Sequence, residues 1–79
     1  MIDDTATVNA SNVVKATADH LRMLVAANGN TMKAACKREW SRRLDVSPAT
    51  ASRAIALLAA TGAVVSVSDM GEVAIRLAA

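Results

Sequence analysis

The sequence predicts a mainly α domain with a small β-hairpin: three helices followed by a two-stranded ribbon. Three observations carry this expectation. Val14, Ala18, Leu21, Leu24 and Val25 recur at spacings of three and four, the period of one helical face. Residues 39–64, EWSRRLDVSPATASRAIALLAATGAV, read as a helix, a tight three-residue turn and a second helix. The chain then runs into VVSVSDMGEVAIRL, two β-type runs around a Ser-Asp-Met-Gly-Glu turn. At 79 residues there is room for one domain.

Each element has its own signals. Residues 1–10 read as a flexible arm ahead of a domain over residues 11–79. Asn9 or Ser11 is placed to cap the first helix, because either side chain accepts from a free backbone N–H. Asn28-Gly29-Asn30 ends that helix, with Gly able to take the left-handed conformation common at helix C-termini. Thr31 and Met32 read either as a short strand or as the start of the next helix. The second helix is expected from about Lys33 to Leu44, with Met32, Cys36, Trp40 and Leu44 as its apolar stripe. Asp45-Val46-Ser47 is the turn. Ser47 is a good N-cap, and Pro48 follows at the first helical position, where its missing N–H costs nothing. The third helix is expected over residues 48–61, with Ala51, Leu58 and either Ile55 or Ala54 facing inward and Gly62 stopping it.

Composition excludes several function classes. The only aromatic residue is Trp40, so the core is built from Leu, Ile, Val, Met and Ala around one large side chain. So few aromatics leave no stacking platform for unpaired bases. Cys36 and His20 each stand alone, which rules out an intrachain disulfide and a Cys/His metal set. Cys36 reads as a small buried hydrophobe and His20 as a surface residue. The carboxylates are scattered, and no acid–base pair, activated nucleophile or phosphate-binding loop stands out, so no enzyme and no cofactor are expected. The N-terminus lacks the basic and apolar regions of a signal peptide, and no apolar run approaches the roughly 20 residues of a membrane span. A cytoplasmic, nucleoid-associated protein with no membrane partner is the expectation.

Net charge is only +2, but it is unevenly placed. Lys33, Lys37, Arg38, Arg42, Arg43 and Arg53 face only Glu39 and Asp45 in the same stretch, while the rest of the chain is net acidic. Local basic excess of this kind attracts phosphate.

The stretch EWSRRLDVS is similar to the helix-turn-helix pattern in which a Leu-Ala pair opens the motif and Leu-Gly-Val-Ser closes it. S-P-A-T-A-S-R-A-I resembles the S-x-x-T-x-S-R-A-L start of many recognition helices of winged helix-turn-helix domains, three helices plus a C-terminal wing, found in small bacterial, archaeal and phage regulators. The resemblance spans residues 31–77. It implies that Trp40 takes an aliphatic position, that Ser41 is the small residue letting two helices approach, and that Leu44 and Val46 anchor the turn. It also puts Asp45 at a position usually given to Gly, where φ is positive; Asp is among the few other residues that tolerate it.

What the resemblance implies for function is a sequence-specific, double-stranded-DNA-binding protein. It would be a transcriptional regulator of the small phage or plasmid type that works as a homodimer on paired half-sites. The third helix would enter the major groove with Ala49, Thr50, Ser52 and Arg53. Arg53 would bond a guanine, Ala49 would meet a thymine methyl, and Ser47 and Thr50 would reach phosphate. Lys37, Arg38, Arg42 and Arg43 would neutralise the backbone, or else form an ordinary solvated face. The hairpin departs from the pattern, because Asp69 and Glu72 stand where a wing commonly carries a base. That departure, with an Ala-rich third helix, keeps an alternative open: a winged module that binds a protein partner, as an inhibitor or assembly subunit. For a dimer contact, the first helix and the hairpin edge are equal candidates.

Overall fold

The computed structural model describes the backbone of residues 2–78 and the side chains of residues 12–78. Its elements run α1 (Ile2–Ala27), β1 (Thr31–Ala35), α2 (Lys37–Leu44), α3 (Pro48–Ala60), β2 (Val64–Val67) and β3 (Val73–Arg76). α1 begins at Ile2, so Asn9 and Ser11 lie inside the helix and neither caps its start, and the backbone of residues 2–10, expected as an arm, is helical.

The fold is three helices with a small antiparallel sheet of three strands in the order β1-β3-β2. The hairpin is present as expected, and a third strand joins it. Lys33, Ala34 and Ala35 therefore lie in β1, and α2 starts at Lys37 rather than near Lys33. Lys and Ala have good helix propensity, so nothing local makes this a strand. The partner does. β3 arrives some forty residues later and pairs Thr31 with Arg76, Met32 with Ile75 and Ala35 with Val73. Tertiary pairing of this kind overrides propensity.

The reversal that brings β1 into place is locally built. Gly29 and Asn30 both have left-handed backbones, at φ 78 and φ 67. Asn30 N–H donates back to the Val25 carbonyl at 2.9 Å, and Asn28 Nδ2 donates forward to the Thr31 carbonyl at 2.7 Å. Leu77 N–H then donates to the Asn30 carbonyl at 2.9 Å, tying the end of β3 to the turn.

The core lies where α1, α2 and α3 meet one face of the sheet. Leu21 and Val25 from α1, Trp40 and Leu44 from α2, Ala51, Ile55 and Leu58 from α3, and Val73 and Ile75 from β3 are buried together with Ala35. The periodic face expected of the first helix is the one that packs, with Ala18, Leu21 and Val25 buried and Val14 and Leu24 half-buried. Both Ala54 and Ile55 face inward on α3, resolving the choice between them. Ala51 and Ala54 are almost fully buried, and such small side chains let α1 lie close along α3. Arg22 fastens the far end of that contact by donating to Thr61 Oγ1 at 2.9 Å. α3 ends at Ala60, one residue before the expected 61, and Thr61 caps it, with its hydroxyl donating to the Leu57 and Leu58 carbonyls.

Cys36 departs from expectation. It is exposed, in extended backbone at the N-cap of α2, because the four-residue stripe assigned to one helix is split between a strand and a helix. Met32 is half-buried on β1 for the same reason.

Trp40 is fully buried, and its Nε1–H donates to the Val73 carbonyl at 2.9 Å. Replacing Trp40 with Phe keeps most of the apolar contact but leaves that buried carbonyl without its side-chain donor, at a cost of about 1–3 kcal/mol. Urea unfolding followed by far-UV circular dichroism is expected to show a lower midpoint with an unchanged slope; an unchanged midpoint would show that the bond contributes nothing net.

Candidate nucleic-acid interface

The corner between α2 and α3 sets the site. Asp45 has φ 54 and ψ 47, the left-handed conformation its position was expected to need. Its N–H donates to the Arg42 carbonyl at 3.2 Å, and the Val46 N–H donates to the Ser41 carbonyl at 3.1 Å. These are the two bonds of a Schellman ending, so the chain leaves α2 with the Ser41 and Arg42 carbonyls satisfied. Val46 packs against the core beside Leu44. Ser41, buried and small as expected, turns its hydroxyl onto the Arg38 carbonyl at 2.8 Å.

Ser47 then starts α3. Its Oγ accepts from the Thr50 N–H at 3.2 Å and donates to Thr50 Oγ1 at 3.0 Å, with Pro48 in the first turn. Helical geometry decides which residues face out. With Ala51, Ala54, Ile55 and Leu58 buried, the opposite side carries Ala49, Arg53, Ala56 and Ala60, all exposed, flanked by half-buried Ser52. Arg53 is the one long side chain on this face. It has no ion-pair partner among the described residues.

The basic residues of α2 divide into groups. Arg38 and Arg42, four apart, share one exposed stripe. Lys37 is exposed at the α3 side, lining a cleft with Ser52. Arg43 is committed elsewhere: its Nε lies 3.7 Å from Glu39 Oε2, and its guanidinium stacks 5.1 Å from the centre of the Trp40 ring. Of the four, Arg43 is thus the least available to a phosphate. Lys33 is exposed on the outer edge of the sheet.

The structure therefore brings Lys37, Ser47, Ala49, Thr50, Ser52 and Arg53 together around the first turns of α3, with Arg38 and Arg42 on the neighbouring helix. Thr50 is half-buried and Ser47 exposed, their hydroxyls bonded to each other. All the cations of the group are exposed, and the acids within the same stretch of sequence are Glu39 and Asp45.

Sequence reasoning missed a cleft of about 200 Å³ beside this face. Ile55, Ala56 and Ala59 of α3 form one wall, and Val65 and Val67 of β2 form the other. The signal was present: Val65 and Val67 are two apart in a strand and so share a face. The hairpin tip is closed by Ser68 N–H to the Glu72 carbonyl and Gly71 N–H to the Ser68 carbonyl, both 2.9 Å, with Gly71 at φ 79. Asp69, Met70 and Glu72 are exposed on it, Met70 to 87%.

Among the described residues, no group of three or more metal-ligating side chains occurs, and no helix is long and apolar enough to cross a membrane. No protein-family model, curated protein or solved structure matches the chain.

Removing the cap tests how far Ser47 holds the site. Ser47→Ala should destabilise the protein by about 1 kcal/mol, because it leaves the Thr50 N–H without its acceptor. For a domain this small, that corresponds to a fall in Tm of about 4–8 °C by calorimetry. A Tm within a degree of the parent would mean the corner holds without the cap.

Proposed function

We propose that this chain is a winged helix-turn-helix domain that binds double-stranded DNA in a sequence-specific way and serves as a transcriptional regulator. The observation that carries the reading is the uncovered face of α3, with Arg53 exposed and unpaired among the described residues and Ala49 beside it. A face of small side chains lets a helix sit deep in the major groove, where a single arginine makes two bonds to guanine O6 and N7. Ala49 then meets a thymine methyl. Ser47 and Thr50 reach phosphate, Ser52 lies at the groove wall, and Lys37, Arg38 and Arg42 fix the backbone position. The element order α1-β1-α2-α3-β2-β3 supports the same reading, with β2 and β3 as the wing.

A second reading, in which the fold docks a protein partner, is favoured by one specific feature. The hairpin carries Asp69 and Glu72 with exposed Met70 and Val67, a surface that a phosphate backbone repels and a protein does not.

Fluorescence titration against random and selected duplexes at two salt concentrations separates the two. DNA binding requires affinity that falls steeply with salt. Lys37→Ala with Arg38→Ala should weaken all duplexes alike and lower the salt slope by about one per cation. Arg43→Ala should change that slope less than Arg42→Ala, given its bonds to Glu39 and Trp40. Arg53→Ala should cost about 1–3 kcal/mol of discrimination between the best and random sites. Absence of any duplex binding at low salt would remove this reading and leave the protein-docking one.

A further inference from the structure

The sheet has two outer strands, and the chain treats them differently. β1 carries exposed Lys33 at its middle, and its pairing with β3 shifts register between Met32 and Ala35. A lysine and a bulge are two of the devices that keep an edge strand from accepting another strand. β2, the opposite edge, has neither. Val64-Val65-Ser66-Val67 is uncharged, holds no Pro or Gly, and pairs with β3 in unbroken register. Val64 and Val67 are 44% and 65% exposed.

Charge selects what this open edge fits. Asp69 and Glu72 stand at the tip of the hairpin, and Arg76, opposite Val64, stands at its other end. All three are exposed, and none has an ion-pair partner among the described residues. When two β2 strands run antiparallel about a two-fold axis normal to the sheet, each acidic tip arrives beside the Arg76 end of the other copy. A parallel arrangement would place tip beside tip and repel.

We infer that β2 is a self-association edge, through which two copies of this chain join their sheets antiparallel into one. An axis normal to a sheet does not exchange its faces, so both α3 helices stay on one side of the joined sheet. Val65 and Val67, which face α3 in each copy, meet their counterparts across the axis, and the two apolar clefts become continuous. The pairing stands on the strand edges and charges alone. Its use, presenting two α3 helices to two half-sites, rests on the DNA-binding reading above.

The test is sedimentation of the full chain, without DNA, over a range of concentrations. The parent protein is expected as a dimer. Val67→Lys sets like charges close to each other across the axis and is expected to raise the dimer dissociation constant by about tenfold or more. Its far-UV circular dichroism should match the parent, since Val67 is largely exposed. Arg76→Glu should weaken the dimer as well, and adding Asp69→Lys and Glu72→Lys to the same chain should restore it, a result no misfolded variant gives. A parent that stays monomeric, a Val67→Lys chain that dimerises like the parent, or a charge swap that fails to restore each overturns the inference. A dimer that binds no duplex removes the reading of function and leaves this one standing; a monomer that binds duplex does the reverse.

Discussion

The bond from the Trp40 indole to the Val73 carbonyl is the point on which the architecture turns. The chain has one large aromatic, and it sits at the junction of α2, α3 and the sheet, fully buried. Without it, α2 would be an eight-residue helix far too short to persist alone. Held by Trp40, α2 becomes the fixed arm of the corner. The left-handed Asp45 and the Ser47 cap then set the direction of α3. The orientation of the exposed Arg53 face is thus a consequence of core packing on the preceding helix. Arg43 adds to this from outside, covering the indole with its guanidinium.

How much of this was legible in the sequence follows from how local each feature is. The corner was legible because its causes are adjacent residues. Asp tolerates a positive φ, Ser caps, Pro opens a helix, and Leu44 and Val46 are apolar where the turn meets the core. The exposed face of α3 followed from the same period. The third strand was legible only in part: a strand was one of two readings of Thr31 and Met32, and the structure takes it, but its extension through Lys33-Ala34-Ala35 carries no strand signal of its own and exists only through β3. That one nonlocal fact also moved Cys36 out of the core and Lys33 off the second helix. Arg43 is a different case. Spacing puts Glu39 and Trp40 within a helical turn of Arg43, but Glu39 is also within a turn of Arg42, so which arginine is engaged is set by how the side chains pack.

Exposed charge differs between the helical corner and the hairpin tip. The cations of α2 and Arg53 of α3 lie on the helical corner, and the exposed acids Asp69 and Glu72 lie on the hairpin tip. On the proposed reading, a duplex that approaches the corner is attracted there and repelled at the tip. The acid would then bias orientation: phosphate contact would come from α2 and not from the hairpin tip. That would make an acidic hairpin compatible with the proposed groove-reading helix. It also frees the hairpin from the duty a basic wing would have.

A helix that presents one arginine among alanines has little with which to discriminate. Each good pair of bonds to a base distinguishes the right pair by about 1–3 kcal/mol, well short of what separates one site from a genome of competitors. Two such helices held in fixed relation double that difference, and the gain depends on how rigidly they are held. Strand-to-strand joining is among the stiffer ways to hold them, because main-chain bonds fix both distance and register. On the proposed readings, the few hydrogen-bonding groups on α3 and the unguarded edge of β2 answer to one physical requirement. What the proposed recognition surface lacks in hydrogen-bonding groups, the proposed symmetry of the sheet would supply as a second copy of the same few.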